Sequence, residues 1–305
     1  MKHLSAISKY AQAPEALIHA EQLARLAGQA LVAEAELTPK PGLVDRRGSG
    51  SHTDLSLHLM RRSAEAIAPY FAEMALAAAT TPMDQTLRAA VAAIGRKAEA
   101  AMLRATSGSN THKGAIWVLG LLTCAASQTA DLRSENIARS AGYLARLPDR
   151  ALPRIVSHGE LVHSRYGVTG ARGEAFANFP HVINIGLPAL REARREGRME
   201  RDSRLIALLE IMSRLDDTCV LYRGGREAQE FVHKGSMQVL EVGGPGTPEG
   251  DAALLSLDDE FVRRRISPGG SADLLAATLF LDALEHGQNE VAQDNSHLEE
   301  VYGAN

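Results

Sequence analysis

The chain has 305 residues, 45% of them hydrophobic, with 33 basic against 37 acidic residues and a formal net charge of −4. That is apolar material enough for one large domain or two ordinary ones, and with the Lys and Arg residues spread among acids it leaves no global basic field of the kind that duplex nucleic acid attracts. Aromatics are only 4% while Ala and Leu recur at helical spacing, so the composition predicts an all-α protein. The two cysteines, Cys124 and Cys219, give neither a disulfide framework nor a metal spacing and fit a reducing cytoplasm. No apolar run reaches the roughly 20 residues of a membrane span, and the opening MKHLSAISKY lacks a secretory apolar segment, so a soluble, unprocessed protein is expected.

Residues 13–37 read as an amphipathic helix with Pro14 near its first turn. It stops at Thr38-Pro39-Lys40-Pro41-Gly42, where two prolines and a glycine display Lys40 on a stiff loop running to Asp45. A polar segment holding His52 follows, and Thr53 or Asp54 is expected to cap a helix over 54–79. Pro82 starts an Ala-rich helix to Ala105. Next comes Ser107-Gly108-Ser109-Asn110-Thr111-His112-Lys113-Gly114, a polar turn that launches a helix over 112–127. Glycine freedom, Asn and Thr hydrogen bonding and a cation at a helix N-terminus outline an anion site, although a plain helix cap has the same composition. The Walker pattern is absent.

Beyond Pro148 the pattern predicts a short helix over 153–164, a glycine-rich loop holding Arg172 and Glu174, and a helix over 181–195 whose Arg191, Arg194 and Arg195 form a solvated face. A helix over 202–215 ends in Asp216-Asp217, two carboxylates at a helix end that is already negative; surface pairs of this kind are common, and a hard cation or cationic partner is the other account. Residues 243–250 read as a mobile loop, either lid or linker, and Ser267-Pro268-Gly269-Gly270-Ser271-Ala272-Asp273 opens a helix over 273–285. The polar stretch 287–305 is expected to be a flexible tail beyond a single bundle domain over 1–286. Five polar loops thus set small residues beside charged ones at helix boundaries. Converging at one end of a bundle, they would make a cleft suited to a nucleoside triphosphate and Mg²⁺.

The strings TPKPGLVD at 38–45, NTHKGAI at 110–116, GARGEA at 170–175, DDT at 216–218 and SPGGSADLL at 267–275 resemble the triphosphoribosyl-dephospho-CoA synthase family and occur in its order. The form DDTCVLYRGG at 216–225 is similar to the branch that serves malonate decarboxylase rather than citrate lyase. The resemblance implies a transferase in which the ribose 2′-hydroxyl of 3′-dephospho-CoA attacks the anomeric carbon of ATP, adenine leaves, and the product goes on, through a phosphoribosyl-dephospho-CoA transferase, to an acyl carrier protein. It further implies Lys40, Asn110, Thr111, Lys113, Arg172, Gly269 and Gly270 as substrate-holding residues, with His112, Glu174, Asp45 and Glu34 as candidates for catalysis. Asp216, Asp217 and Asp273 are then the candidates for Mg²⁺, and His52 is a second hydrogen-bonding histidine. A nucleotide hydrolase or ADP-ribosyl-type glycohydrolase in the same cleft is the alternative, and whether copies of the chain associate stays open.

Overall fold

The computed structural model describes residues 14–151 and 158–302, with side chains to 287. Among them are twelve α-helices and no strand, apart from one isolated bridge between Asp45 and Gly48. The helices are α1 Pro14–Glu36, α2 Leu57–Thr80, α3 Gln85–Ala105, α4 Lys113–Gln128, α5 Ser134–Arg146, α6 His158–Tyr166, α7 Gly170–Phe176, α8 Leu187–Arg195, α9 Glu200–Met212, α10 Thr218–Glu241, α11 Pro248–Arg264 and α12 Gly269–Tyr302. A π-helical turn, Val182–Gly186, leads into α8.

The organising element is α4. It is apolar on nearly every side, and eleven residues from Ala115 to Ala126 are buried, which is what a helix packed all round requires. It touches α1, α2, α3, α5 and α12. Gly120 lets α2 come close, because a Cβ there would lie 2.6 Å from the Met74 sulfur. Helix α12 packs on α1 and on α4, so the N- and C-terminal halves share one core.

Several boundaries differ from expectation for local reasons. Ser56, not Thr53 or Asp54, caps α2, its hydroxyl accepting from Leu59 N at 3.3 Å. The glycine-rich segment 170–176 is helical, and 218–241 is one long helical element in which Gly225, at φ 67, marks a kink. Residues 243–247 form a pinned turn: Arg198 donates to the carbonyls of Pro245 and Gly243, and Gly246 N donates to Asp251. Most of the segment expected as a flexible tail continues α12, since extending a helix already nucleated by an apolar run costs little. The expected helix over 153–164 is described from His158 onward; 152–157 lie outside the described residues.

Candidate active site

The loop after α1 is built inward. Lys40 is 1% exposed, and its Nζ lies 2.5 Å from Oε1 of Glu34, itself buried in the last turn of α1. Neither charge would be tolerable there alone, so the two hold each other in place. Asp45 accepts from Lys40 N (3.1 Å), Arg47 N (2.7 Å) and the Arg47 guanidinium (2.9 and 2.7 Å). Arg47 also reaches Asp258 of α11 at 2.9 Å, and that carboxylate accepts from Gly42 N at 2.8 Å. These bonds latch the loop and occupy the Asp45 oxygens.

Three helix N-termini meet above this pair. Asp217 caps α10 through Cys219 N (2.8 Å) and accepts from the backbone N (2.8 Å) and hydroxyl (3.1 Å) of Ser271 in the first turn of α12. Burial pushes its carboxyl pKa up against the pull of these donors. Gly270 has to be small, because a Cβ there would lie 3.0 Å from the Asp217 carboxylate. One turn on, half-buried Asp273 covers the start of α4, where a Cβ on Gly114 would fall 2.0 Å from its Oδ2. Burial, then the charges of Glu34 and Asp217, raise the Asp273 pKa well above the ordinary carboxylate range, while the Ala115 N–H lowers it. Glu34, Lys40, Asp217 and Asp273 therefore form one electrostatic cluster.

His112 stands beside it at the N-cap of α4 and is 2% exposed. Thr111 Oγ1 donates to Ser63 Oγ at 2.6 Å, and Ser63 Oγ lies 2.7 Å from His112 Nδ1. The other ring nitrogen, Nε2, is buried with no partner among the described residues. Burial, reinforced by the Lys40 charge, depresses the His112 pKa to about 3, so the imidazole is neutral at physiological pH. His52 pairs with Ser267 Oγ at 2.7 Å on the edge of the same region.

The remaining expected site residues stand elsewhere. Asn110 accepts from Lys113 N at 3.2 Å as a local cap, while the exposed Lys113 ammonium turns to Glu99 of α3 at 2.5 Å. Arg172 is exposed and lies over the Phe176 ring. Glu174 is buried and accepts from His181 N and Nδ1, both at 2.8 Å, a bond that raises the His181 pKa. Asp216 is exposed and acts on His181 rather than on Asp217 and Asp273, so the expected metal trio does not converge. Among the described residues no three His, Cys, Asp or Glu side chains are placed to hold a metal ion. Gly269 packs against Cys219, a Cβ there lying 3.1 Å from its sulfur. A mostly apolar groove of about 1060 Å³ runs between α1 and α2, on the face of α1 turned away from Glu34.

Residues 20–291 match the ATP:dephospho-CoA triphosphoribosyl transferase family. The chain belongs to this family. It is similar to proteins named probable 2-(5''-triphosphoribosyl)-3'-dephosphocoenzyme-A synthase from Stutzerimonas stutzeri (54% identical over 275 residues, 90% of this chain and 94% of the relative) and Pseudomonas fluorescens (51% over 270 residues, 88% and 93%). A third, from Azotobacter vinelandii, carries the same name and is 51% identical over 269 residues, 87% of this chain and 92% of the relative. The chain is thus an enzyme, a transferase. Among its described residues no helix is long and apolar enough to cross a membrane.

In this transferase Ser63 and Ser271 escaped sequence reasoning. Ser63 sits mid-helix, 49 positions from His112, with nothing local to single it out. Ser271 lies inside SPGGSADLL, and its place three residues after Pro268 at a helix start was the available signal.

Proposed function

We propose that this transferase makes 2'-(5''-triphosphoribosyl)-3'-dephospho-CoA and adenine from ATP and 3'-dephospho-CoA, with the ATP ribose seated between Asp273, the Glu34–Lys40 pair and His112. The observation that carries the reading is Asp273: a carboxyl of raised pKa, facing two other acids at the N-terminus of a central helix. The 2′-oxygen forms its bond to C1′ of ATP as the C1′–N9 bond breaks. The electron pair of that bond leaves with adenine, and the 2′-hydroxyl proton passes to Asp273, whose raised pKa suits a general base. Adenine becomes neutral by taking one proton from water, which Asp273 restores when it gives its proton up. Glu34, ion-paired with Lys40, offers negative charge to the oxocarbenium character developing on the sugar.

His112 serves the leaving group. The Thr111 hydroxyl donates to Ser63, so the Ser63 proton goes to Nδ1 and the imidazole hydrogen is left on Nε2, a buried donor for a nitrogen of departing adenine. Asp217, with its oxygens occupied by N–H and hydroxyl donors, holds α10 and α12 in register. Mg²⁺ would enter this reading as the counter-ion carried by ATP, and no step is assigned to it.

The DDTCVLYRGG string supports the further reading that the product serves the acyl carrier protein of a malonate decarboxylase, and the two cysteines, with no disulfide framework, support a cytoplasmic location. Mass spectrometry on ATP with and without 3'-dephospho-CoA tests the reaction: adenine should appear together with the triphosphoribosyl product, and only when dephospho-CoA is present. Adenine or phosphate released from ATP alone would replace the transfer with hydrolysis.

A further inference from the structure

Arg88 of α3 is 3% exposed, yet among the described residues no carboxylate pairs with it. Its Nε donates to Leu147 O at 3.1 Å, its guanidinium lies over the Trp117 ring at 5.2 Å, and its buried Nη1 has no partner among the described residues. Arginine does not escape burial by losing its proton, so a buried guanidinium with an idle N–H is an expensive feature unless an anion meets it. The surroundings add positive charge. Arg172 and Arg96 both act on Arg88 electrostatically, and the one acid acting with them, Asp149, is already held by Arg96 at 2.8 Å and by Ala151 N at 3.0 Å. Arg172, stacked on Phe176, has no ion pair among the described residues.

Trp117 fixes where this cluster stands. Its Nε1 donates to Ala171 O at 3.1 Å, which ties Arg172 to α4. It also lies one helical turn beyond Lys113, on the helix whose first residues face Asp273. The first two turns of α4 therefore carry both neighbourhoods, Asp273 against Gly114 and Arg88 against Trp117.

We infer that Arg88 and Arg172, with Arg96 at the rim, form a phosphate seat beside Trp117 that takes the far end of the ATP triphosphate. The assignment of the ligand to ATP rests on the ribose position proposed above. The acids and the arginines divide the work: carboxylates stand where cationic character develops on the sugar, and planar guanidinium forks stand where the phosphates have to be held still. The pyrophosphate of dephospho-CoA has the same chemistry, so the test separates the two sources.

Titration calorimetry at fixed ionic strength, on the full chain, would compare inorganic tripolyphosphate, ATP and dephospho-CoA as ligands for the wild type, Arg88→Met and Arg172→Ala, with far-UV circular dichroism reporting the fold. Each substitution should weaken tripolyphosphate and ATP about tenfold or more, as expected for a lost charge-assisted contact, and leave dephospho-CoA within about twofold. Arg172 is exposed, so its variant carries the test even if Arg88→Met does not fold. Unchanged tripolyphosphate and ATP affinity in the folded variants would overturn the seat, and so would a loss confined to dephospho-CoA. Tripolyphosphate binding needs no chemistry: a wild type that binds it through Arg88 yet releases no adenine would overturn the reaction and keep the seat, whereas adenine release with an unaltered KM for ATP in both variants would do the reverse.

Discussion

Two side chains in the site have pKa values moved away from their solution ranges in opposite directions, and each has a measurable signature. His112 keeps its neutral form down to about pH 3 in the folded protein, against an unperturbed value of 6.5. Below pH 6.5 the unfolded chain takes up a proton that the folded chain refuses, so the stabilisation is present at neutral pH and drains away as the pH falls toward the depressed value. Between pH 6.5 and 5 the wild type should lose about 2 kcal/mol relative to His112→Asn, read by denaturant unfolding of both proteins at each pH. Asp273 shifts the other way, and its ionised form is the one the fold resists. Asp273→Asn should therefore be more stable than the wild type at neutral pH, with the advantage shrinking as the pH falls through the raised pKa and the wild-type carboxyl takes up its proton. The same variant should lose about 10²- to 10⁴-fold in kcat, together with the acid limb of the wild-type pH–rate profile. An Asp273→Asn protein that keeps kcat and that limb would remove Asp273 as the base.

At the scale of helices, function depends on how closely the starts of α4, α10 and α12 approach one another. Gly114→Ala puts a methyl group where Asp273 Oδ2 now sits, so the carboxylate has to move, although the helix itself tolerates alanine well. The expected outcome is a folded protein with kcat lower by about 100-fold, the cost of a misplaced catalytic group. Asp217→Ala removes a cap and strands the buried donors of Ser271; a loss of about 3 kcal/mol in unfolding free energy is expected. Much at this scale was legible: the helices after Pro14, after Pro82 and after His112 follow from periodicity and caps, and the motifs at 110–116 and 267–275 do sit at helix starts that meet. What was not legible has a common cause. Lys40 looks like a displayed cation because its loop is stiff and polar, but its burial is decided by Glu34 and by the latch to Asp258 far along the chain. The glycines at 170–173 read as loop from composition, yet the segment 170–176 is helical. Arg88 carries no motif; only the fold sets it beside Trp117 and Arg172.

At the scale of the whole chain, the site exists only when distant segments close on one another. Glu34 comes from the first helix, His112 from the middle, Asp217 and Asp273 from the last third, and α12 lies against both α1 and α4. Neither half of the chain contains the cluster, and neither half could bury α4 alone, since its neighbours come from both. Loss of the last helix would uncover α1, α4 and α10 together, which couples their stabilities. Residues 14–286 should therefore unfold in one cooperative step despite a length at which intermediates are common. The sequence supplies its own local probe: Trp117 is the single tryptophan and sits at the arginine cluster on α4, while the far-UV dichroism reads every helix. Denaturant midpoints from Trp117 fluorescence and from dichroism should coincide, and tripolyphosphate should raise both by the same amount, because a ligand that binds only the folded state stabilises the whole cooperative unit. Two separated transitions, with the fluorescence change confined to one of them, would divide the chain into independent units and place the site in the less or more stable of the two.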